Sequence, residues 1–203
     1  MKMIKNIIFD FGDIFINLDK PATNKFLTKF GVDINDDELT AVQLAYEKGL
    51  ISTGEFISFF KQKYSIKKED VLRAWNSILL DLPAHRFDFI NELAVAKKYR
   101  LFLLSNTNEL HINWIKENWG LPLFELFKNC FEKFYLSHEI NLRKPDESIF
   151  TFLLEENNLN PSETLFIDDV LANTAAAEKL GIHVWNLIPG EEDVVDLRSK
   201  LKI

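Results

Sequence analysis

The sequence predicts an α/β fold: a doubly wound parallel sheet with a small helical cap inserted after the first strand. Three observations predict it. Short apolar runs bounded by polar or turn residues recur at 3–10, 100–105, 133–136, 164–167 and 182–187, each suited to a strand buried on both faces. Beyond residue 84 these runs alternate with helical patterns, the order that builds right-handed crossovers in a parallel sheet. Between the first two runs, residues 18–83 show helical spacing and no convincing strand, a block too long for one crossover. The expected division is therefore a core domain of residues 1–17 and 84–203 and a helical cap of residues 18–83.

Within the cap, Phe26, Leu27 and Phe30 give a helix that ends at Gly31, and Leu39, Val42, Leu44 and Ala45 give a second that Gly49 stops. Ser52 and Glu55 stand at capping-box spacing ahead of Phe56, Phe59 and Phe60. A fourth helix, residues 69–80, carries Val71, Leu72, Trp75, Ile78 and Leu79. The helical spacing of these aromatic residues reads as cap core rather than a ligand-stacking surface. In the core domain, helices are expected at 85–98, at 145–156 behind a proline start, and at 171–180 closed by Gly181.

The chain has 203 residues, 47% of them hydrophobic, and a formal charge of −7. That acidic balance argues against nucleic acid and anionic membrane as partners, because both are recognised through clustered Lys and Arg. No apolar run approaches the ~20 residues that span a bilayer, and the N-terminal run lacks a small-residue cleavage pattern. The single cysteine, Cys130, forms no internal disulfide and reads as a small buried residue in an aromatic stretch. The expected location is the cytoplasm, with a monomer or weak homodimer; Trp114, Trp119 and the phenylalanines near 124–134 are the candidates for an apolar contact patch.

Three strands end in polar groups: Asp10, Ser105 with Asn106, and Asp168 with Asp169. In an open α/β sheet, parallel neighbours bring such ends together at the crevice where ligands collect. Three carboxylates gathered there repel one another unless a cation lies among them, and a hard oxygen site suits Mg²⁺. Lys144, just ahead of Pro145, supplies a cation able to neutralise both a carboxylate and an incoming phosphate. Each residue has a plainer rival: a helix cap for Ser105, a solvated charge for Lys144, turn acids for Asp168 and Asp169. Their joint order favours a phosphoryl-transfer site.

The motifs Phe9-Asp10-Phe11-Gly12, Leu104-Ser105-Asn106-Thr107-Asn108, Arg143-Lys144-Pro145-Asp146 and Phe166-Ile167-Asp168-Asp169 resemble, in this order, those of the haloacid dehalogenase-like hydrolase superfamily. The Leu104–Asn108 and Arg143–Pro145 stretches, with Tyr46-Glu47-Lys48-Gly49-Leu50-Ile51-Ser52, are most similar to its sugar-phosphatase branch related to alpha-D-glucose-1-phosphate phosphatase. The resemblance implies a Rossmann-like core and a small phosphorylated metabolite as substrate. It implies Asp10 as nucleophile, with Mg²⁺ held by Asp10, the Gly12 backbone carbonyl and Asp169, Asp168 assisting. It further implies that Ser105, the Asn106 amide and Lys144 hold the phosphoryl oxygens, and that Asn173 orients the acidic loop.

The chain departs from that pattern at Gly12, where most phosphatases of the superfamily carry a second aspartate as general acid and base. Such help is typically worth about 10²- to 10⁴-fold. Asp13 and Glu47 are candidates to replace it, with a turn role the simpler account of Asp13. The same glycine leaves open a catalytically weak or inactive protein that binds a phosphorylated ligand or protein partner. A dehalogenase proper is disfavoured, since it has little use for Asp168 and Asp169. His85, His111, His138 and His183 show no metal-ligand spacing.

Overall fold

The computed structural model describes residues 3–201; residues 1–2 and 202–203 of the expected core domain lie outside the described residues. Five strands, β1 (Asn6–Phe9), β2 (Arg100–Ser105), β3 (Lys133–Leu136), β4 (Thr164–Asp168) and β5 (His183–Asn186), form one parallel sheet in the order β3-β2-β1-β4-β5. The first strand is shorter than expected because pairing stops at Phe9, which stands opposite Leu103 on one side and Ile167 on the other. Asp10 thus leaves the sheet at the centre, where the winding reverses direction. That is the switch point of a doubly wound sheet.

Alternation along the strands divides the core in two. Ile7, Phe9, Leu101, Leu103, Leu165 and Ile167 face one side, which the insert's return helix α5 (Ala84–Ala96) and helices α6 (Glu109–Trp119) and α7 (Leu121–Lys128) cover. Ile8, Phe102, Leu104 and Phe166 face the other, under α9 (Glu147–Glu156) and α10 (Leu171–Lys179), while the single-turn α8 (Ser137–Ile140) follows β3. Phe124, Phe127 and Phe131 are buried in the first layer, with Phe127 in edge contact with Phe15 at 5.2 Å. These phenylalanines belong to the core, not to a contact patch. Burying such a side chain contributes about 1.5–3 kcal/mol.

Four helices, α1 (Ala22–Thr28), α2 (Asp37–Glu47), α3 (Thr53–Tyr64) and α4 (Lys68–Asn76), lie between β1 and α5. They enclose a separate cluster that includes Leu27, Leu39, Tyr46, Phe56, Phe60 and Trp75. The expected capping box forms: Ser52 accepts from the Glu55 amide and Glu55 accepts from the Ser52 amide. The two connections to this block pair with each other, Leu80 N–H donating to Asn17 at 3.0 Å and Asn17 N–H to Asp81 at 2.9 Å.

Just past α2, Gly49 lies against the core, its backbone left-handed with φ +65. A Cβ there would lie 2.0 Å from the His138 carbonyl oxygen. Gly49→Ala is therefore expected to lose roughly 2 kcal/mol or more, from backbone strain and a backbone clash together. Urea unfolding measures this directly, and an unchanged midpoint and slope would refute the close docking.

Candidate active site

Asp10 is fixed beside the end of β4 because its amide donates to the Ile167 carbonyl at 2.9 Å. Lys144, on the segment between α8 and α9, reaches the same point. Its ammonium donates to Asp10 Oδ1 and to Asp168 Oδ2, each at 2.7 Å, and the residue is 1% exposed. Lys144 is thus no solvated surface charge. Burial opposes its charge, but Asp10 and Asp168 outweigh that and hold its pKa above the ordinary lysine value. Burial pushes Asp10 up to about 7 even though Lys144 pulls the other way.

Asp168 is fully buried and amply satisfied. Besides Lys144 it accepts from the Val170 amide at 2.8 Å and from Asn173 Nδ2 at 3.0 Å to both oxygens. Asn173 thus holds both oxygens of this carboxylate. Asp169 instead meets Lys20 at 2.5 Å, and Lys20 bridges to Asp13 at 2.8 Å. Burial raises the Asp169 pKa against the pull of Lys20. Asp13 takes the turn role: it adopts φ +55 and accepts from the Leu18 amide at 3.1 Å.

Carboxylate oxygens of Asp10, Asp168 and Asp169 lie within 4.8 Å of one another. A set of hard oxygen donors this compact fits Mg²⁺. The backbone bonds around Gly12 run from Ile16 N–H to Phe11 and from Asp13 N–H to Ile16, so neither uses the Gly12 carbonyl. A Cβ at Gly12 would lie 2.8 Å from the Leu18 δ-methyl, the end of a flexible side chain that would have to shift.

Ser105 is buried at the end of β2 and does not cap the next helix. Asn108 does, accepting from the His111 amide at 3.1 Å. Sequence reasoning missed what the Asn106 side chain does: its amide donates to the Lys144 carbonyl at 2.8 Å and accepts from the Lys144 N–H at 2.9 Å. This two-way clamp sets the backbone from which the lysine reaches inward. The Lys20 contact was likewise missed, for nothing local to residue 20 reveals a partner 149 positions away.

A cavity of about 140 Å³ lies over these strand ends, lined by Gly12, Leu18, Glu47, Ser105, Asn106 and His111 among others. A larger cavity of about 270 Å³ lies elsewhere, beside Trp185, away from Gly12, Ser105 and Asn106. His111 donates from Nε2 to the Trp75 carbonyl at 3.1 Å, joining α6 to the inserted helices. Burial pushes its pKa down to about 4, so it is neutral at pH 7. Burial also pushes the Cys130 thiol up to about 11, which removes it as a nucleophile.

The chain is similar over nearly its whole length to known proteins. A D-ribitol-5-phosphate phosphatase of Bacteroides thetaiotaomicron is 29% identical, covering 99% of this chain and 98% of the relative. The structure of a HAD family enzyme from the same species, in complex with magnesium and inorganic phosphate, superposes with a TM-score of 0.80 at 35% identity, over 93% of this chain and 96% of that one. A predicted HAD-like family hydrolase from Porphyromonas gingivalis gives 0.85 at 32% identity, over 98% of both chains. The family model for haloacid dehalogenase-like hydrolase matches residues 7–187. With that match running from β1 past β5 and enclosing Asp10, Lys144 and Asp168, the chain belongs to the haloacid dehalogenase-like hydrolases.

Proposed function

We propose that the chain is a Mg²⁺-dependent phosphatase that hydrolyses a small phosphorylated metabolite, a sugar or polyol phosphate, through an aspartyl-phosphate on Asp10. The observation that carries this reading is the contact of Asp10 with Lys144 at 2.7 Å at the centre of the sheet edge. A nucleophilic carboxylate beside a buried cation is equipped to attack phosphorus. Phosphate esters of hexoses and of alditols both fit the reading; the D-ribitol-5-phosphate phosphatase relative supports the second.

In this reading Asp10 attacks phosphorus, the leaving oxygen departs with the metabolite, and water then hydrolyses the acyl phosphate. Lys144, Ser105 and the Asn106 amide hold the phosphoryl oxygens by charge-assisted hydrogen bonds. Asp10, Asp169 and the Gly12 carbonyl would hold Mg²⁺, with Asp168 assisting, and the bound ion would offset negative charge on the transferring group. Asn106 and Asn173 position Lys144 and Asp168. Residues 18–83 form the cap over a core of 1–17 and 84–203.

Hydrolysis of a panel containing D-ribitol 5-phosphate, a hexose 1-phosphate and p-nitrophenyl phosphate tests the proposal. Turnover should fall at least about 100-fold on chelation with EDTA and return with added Mg²⁺. Equal rates with and without the chelator, or no turnover on any ester, would refute it. Chloride release from 2-chloropropionate would point instead to chemistry on carbon.

A further inference from the structure

Glu47 is a carboxylate that the reaction above leaves unassigned. It is the last residue of α2 and lines the cavity together with Gly12, Ser105 and Asn106. Its placement is fixed from the core side. The Ser137 hydroxyl donates to the Glu47 carbonyl at 2.6 Å and Asn141 Nδ2 to the Lys48 carbonyl at 2.8 Å. Core side chains thus cap the open end of an inserted helix, and Gly49 docks on the His138 carbonyl immediately after.

The carboxylate itself is only half satisfied. Arg143 Nε and Nη2 both approach Oε2, at 3.1 and 3.0 Å, and among the described residues Oε1 has no hydrogen-bond partner. Burial raises the Glu47 pKa, with Arg143 opposing. With its side chain 27% exposed, Glu47 keeps Oε1 free to accept a hydrogen bond from solvent or from a ligand in the cavity. On the cavity wall Asn106 is occupied by the Lys144 backbone and His111 by Asn108 and Trp75, and Glu47 is the one acidic residue of the lining. Arg143 is turned toward Glu47. The cavity therefore offers a leaving group one free anionic acceptor.

We infer that Glu47 is a specificity-determining residue, its free oxygen accepting a hydrogen bond from a hydroxyl of the leaving group. The site then selects phosphate esters of neutral polyhydroxylated compounds and discriminates against esters that carry a carboxylate. This rests on the phosphatase reading above. A hydroxyl acceptor of this kind discriminates strongly, because an ester lacking the hydroxyl leaves the acceptor unpaired.

The test compares kcat/KM for D-ribitol 5-phosphate, p-nitrophenyl phosphate and 3-phosphoglycerate in the parent, Glu47→Ala and Glu47→Gln. In Glu47→Ala the ratio of ribitol to nitrophenyl ester should fall about 10- to 100-fold, chiefly through KM. Glu47→Gln keeps the shape and an acceptor oxygen, so its ratio should fall less while its discrimination against 3-phosphoglycerate narrows. An active parent whose ratios are unchanged in both variants overturns the inference and leaves the phosphatase reading intact. So does an equal collapse of kcat in both at constant KM, which would make Glu47 a proton donor. A parent inactive on every ester overturns the phosphatase reading and this inference with it.

Discussion

Replacing Asp10 by Asn is expected to lower turnover on every phosphate ester by roughly 10³-fold or more, since the amide neither attacks phosphorus nor carries the acyl phosphate. The same variant should remain folded. Asp10 has its pKa raised to about 7 from 3.8, first by burial and then by Asp168, with Lys144 opposing. A carboxyl group raised on folding binds its proton more tightly in the folded chain, so its contribution to stability is present below the unfolded value near 3.8 and is lost as pH rises through about 7. Above that, without metal, ionised Asp10 opposes folding. Asn removes the charge and keeps the shape, so at pH 8 in EDTA it should melt at or above the parent. Kinetics paired with thermal melts check both halves. Residual turnover within tenfold of the parent would remove Asp10 as nucleophile, and a collapsed melting point would make it a structural group.

The sheet was legible because its strands are continuous apolar runs whose polar ends stop them, and Arg100–Ser105 and Lys133–Leu136 form as the pattern indicates. Helices α6 and α7 were not. Asn108 caps α6, but it follows Asn106 and Thr107, and the three together read as an extended polar loop. In α7, Pro122 near the start and apolar residues all round hide the helical period inside an aromatic stretch. Of the site, Asp10, Ser105, Lys144 and Asp168 could be anticipated because each stands at the end of a recognisable run or beside a proline. The contacts that orient them could not: Asn106 to the Lys144 backbone, Lys20 to Asp169 and Ser137 to Glu47 join segments 38, 149 and 90 positions apart. No local periodicity encodes such pairs. The fold alone creates them.

Those long-range pairs make Lys144 the residue on which stability and chemistry meet, and Lys144→Met should damage both. Methionine matches the stem but removes the ammonium that lies 2.7 Å from Asp10 and from Asp168. Two buried carboxylates are then left facing each other, and breaking a buried pair by deleting one partner typically costs about 3–5 kcal/mol. Turnover should fall at least about 100-fold, because the phosphoryl oxygens lose a preorganised cation. The charge explanation carries a signature that a packing defect lacks. Adding Asp10→Asn to Lys144→Met removes one of the stranded charges, so the double variant should be more stable than Lys144→Met alone, a coupling of roughly 1 kcal/mol or more in a double-mutant cycle. Added Mg²⁺ should likewise raise the melting point of Lys144→Met, since a cation among the acids stabilises the state that binds it. Strict additivity in the cycle, with no response to the metal, would show that the lysine fills space and nothing more.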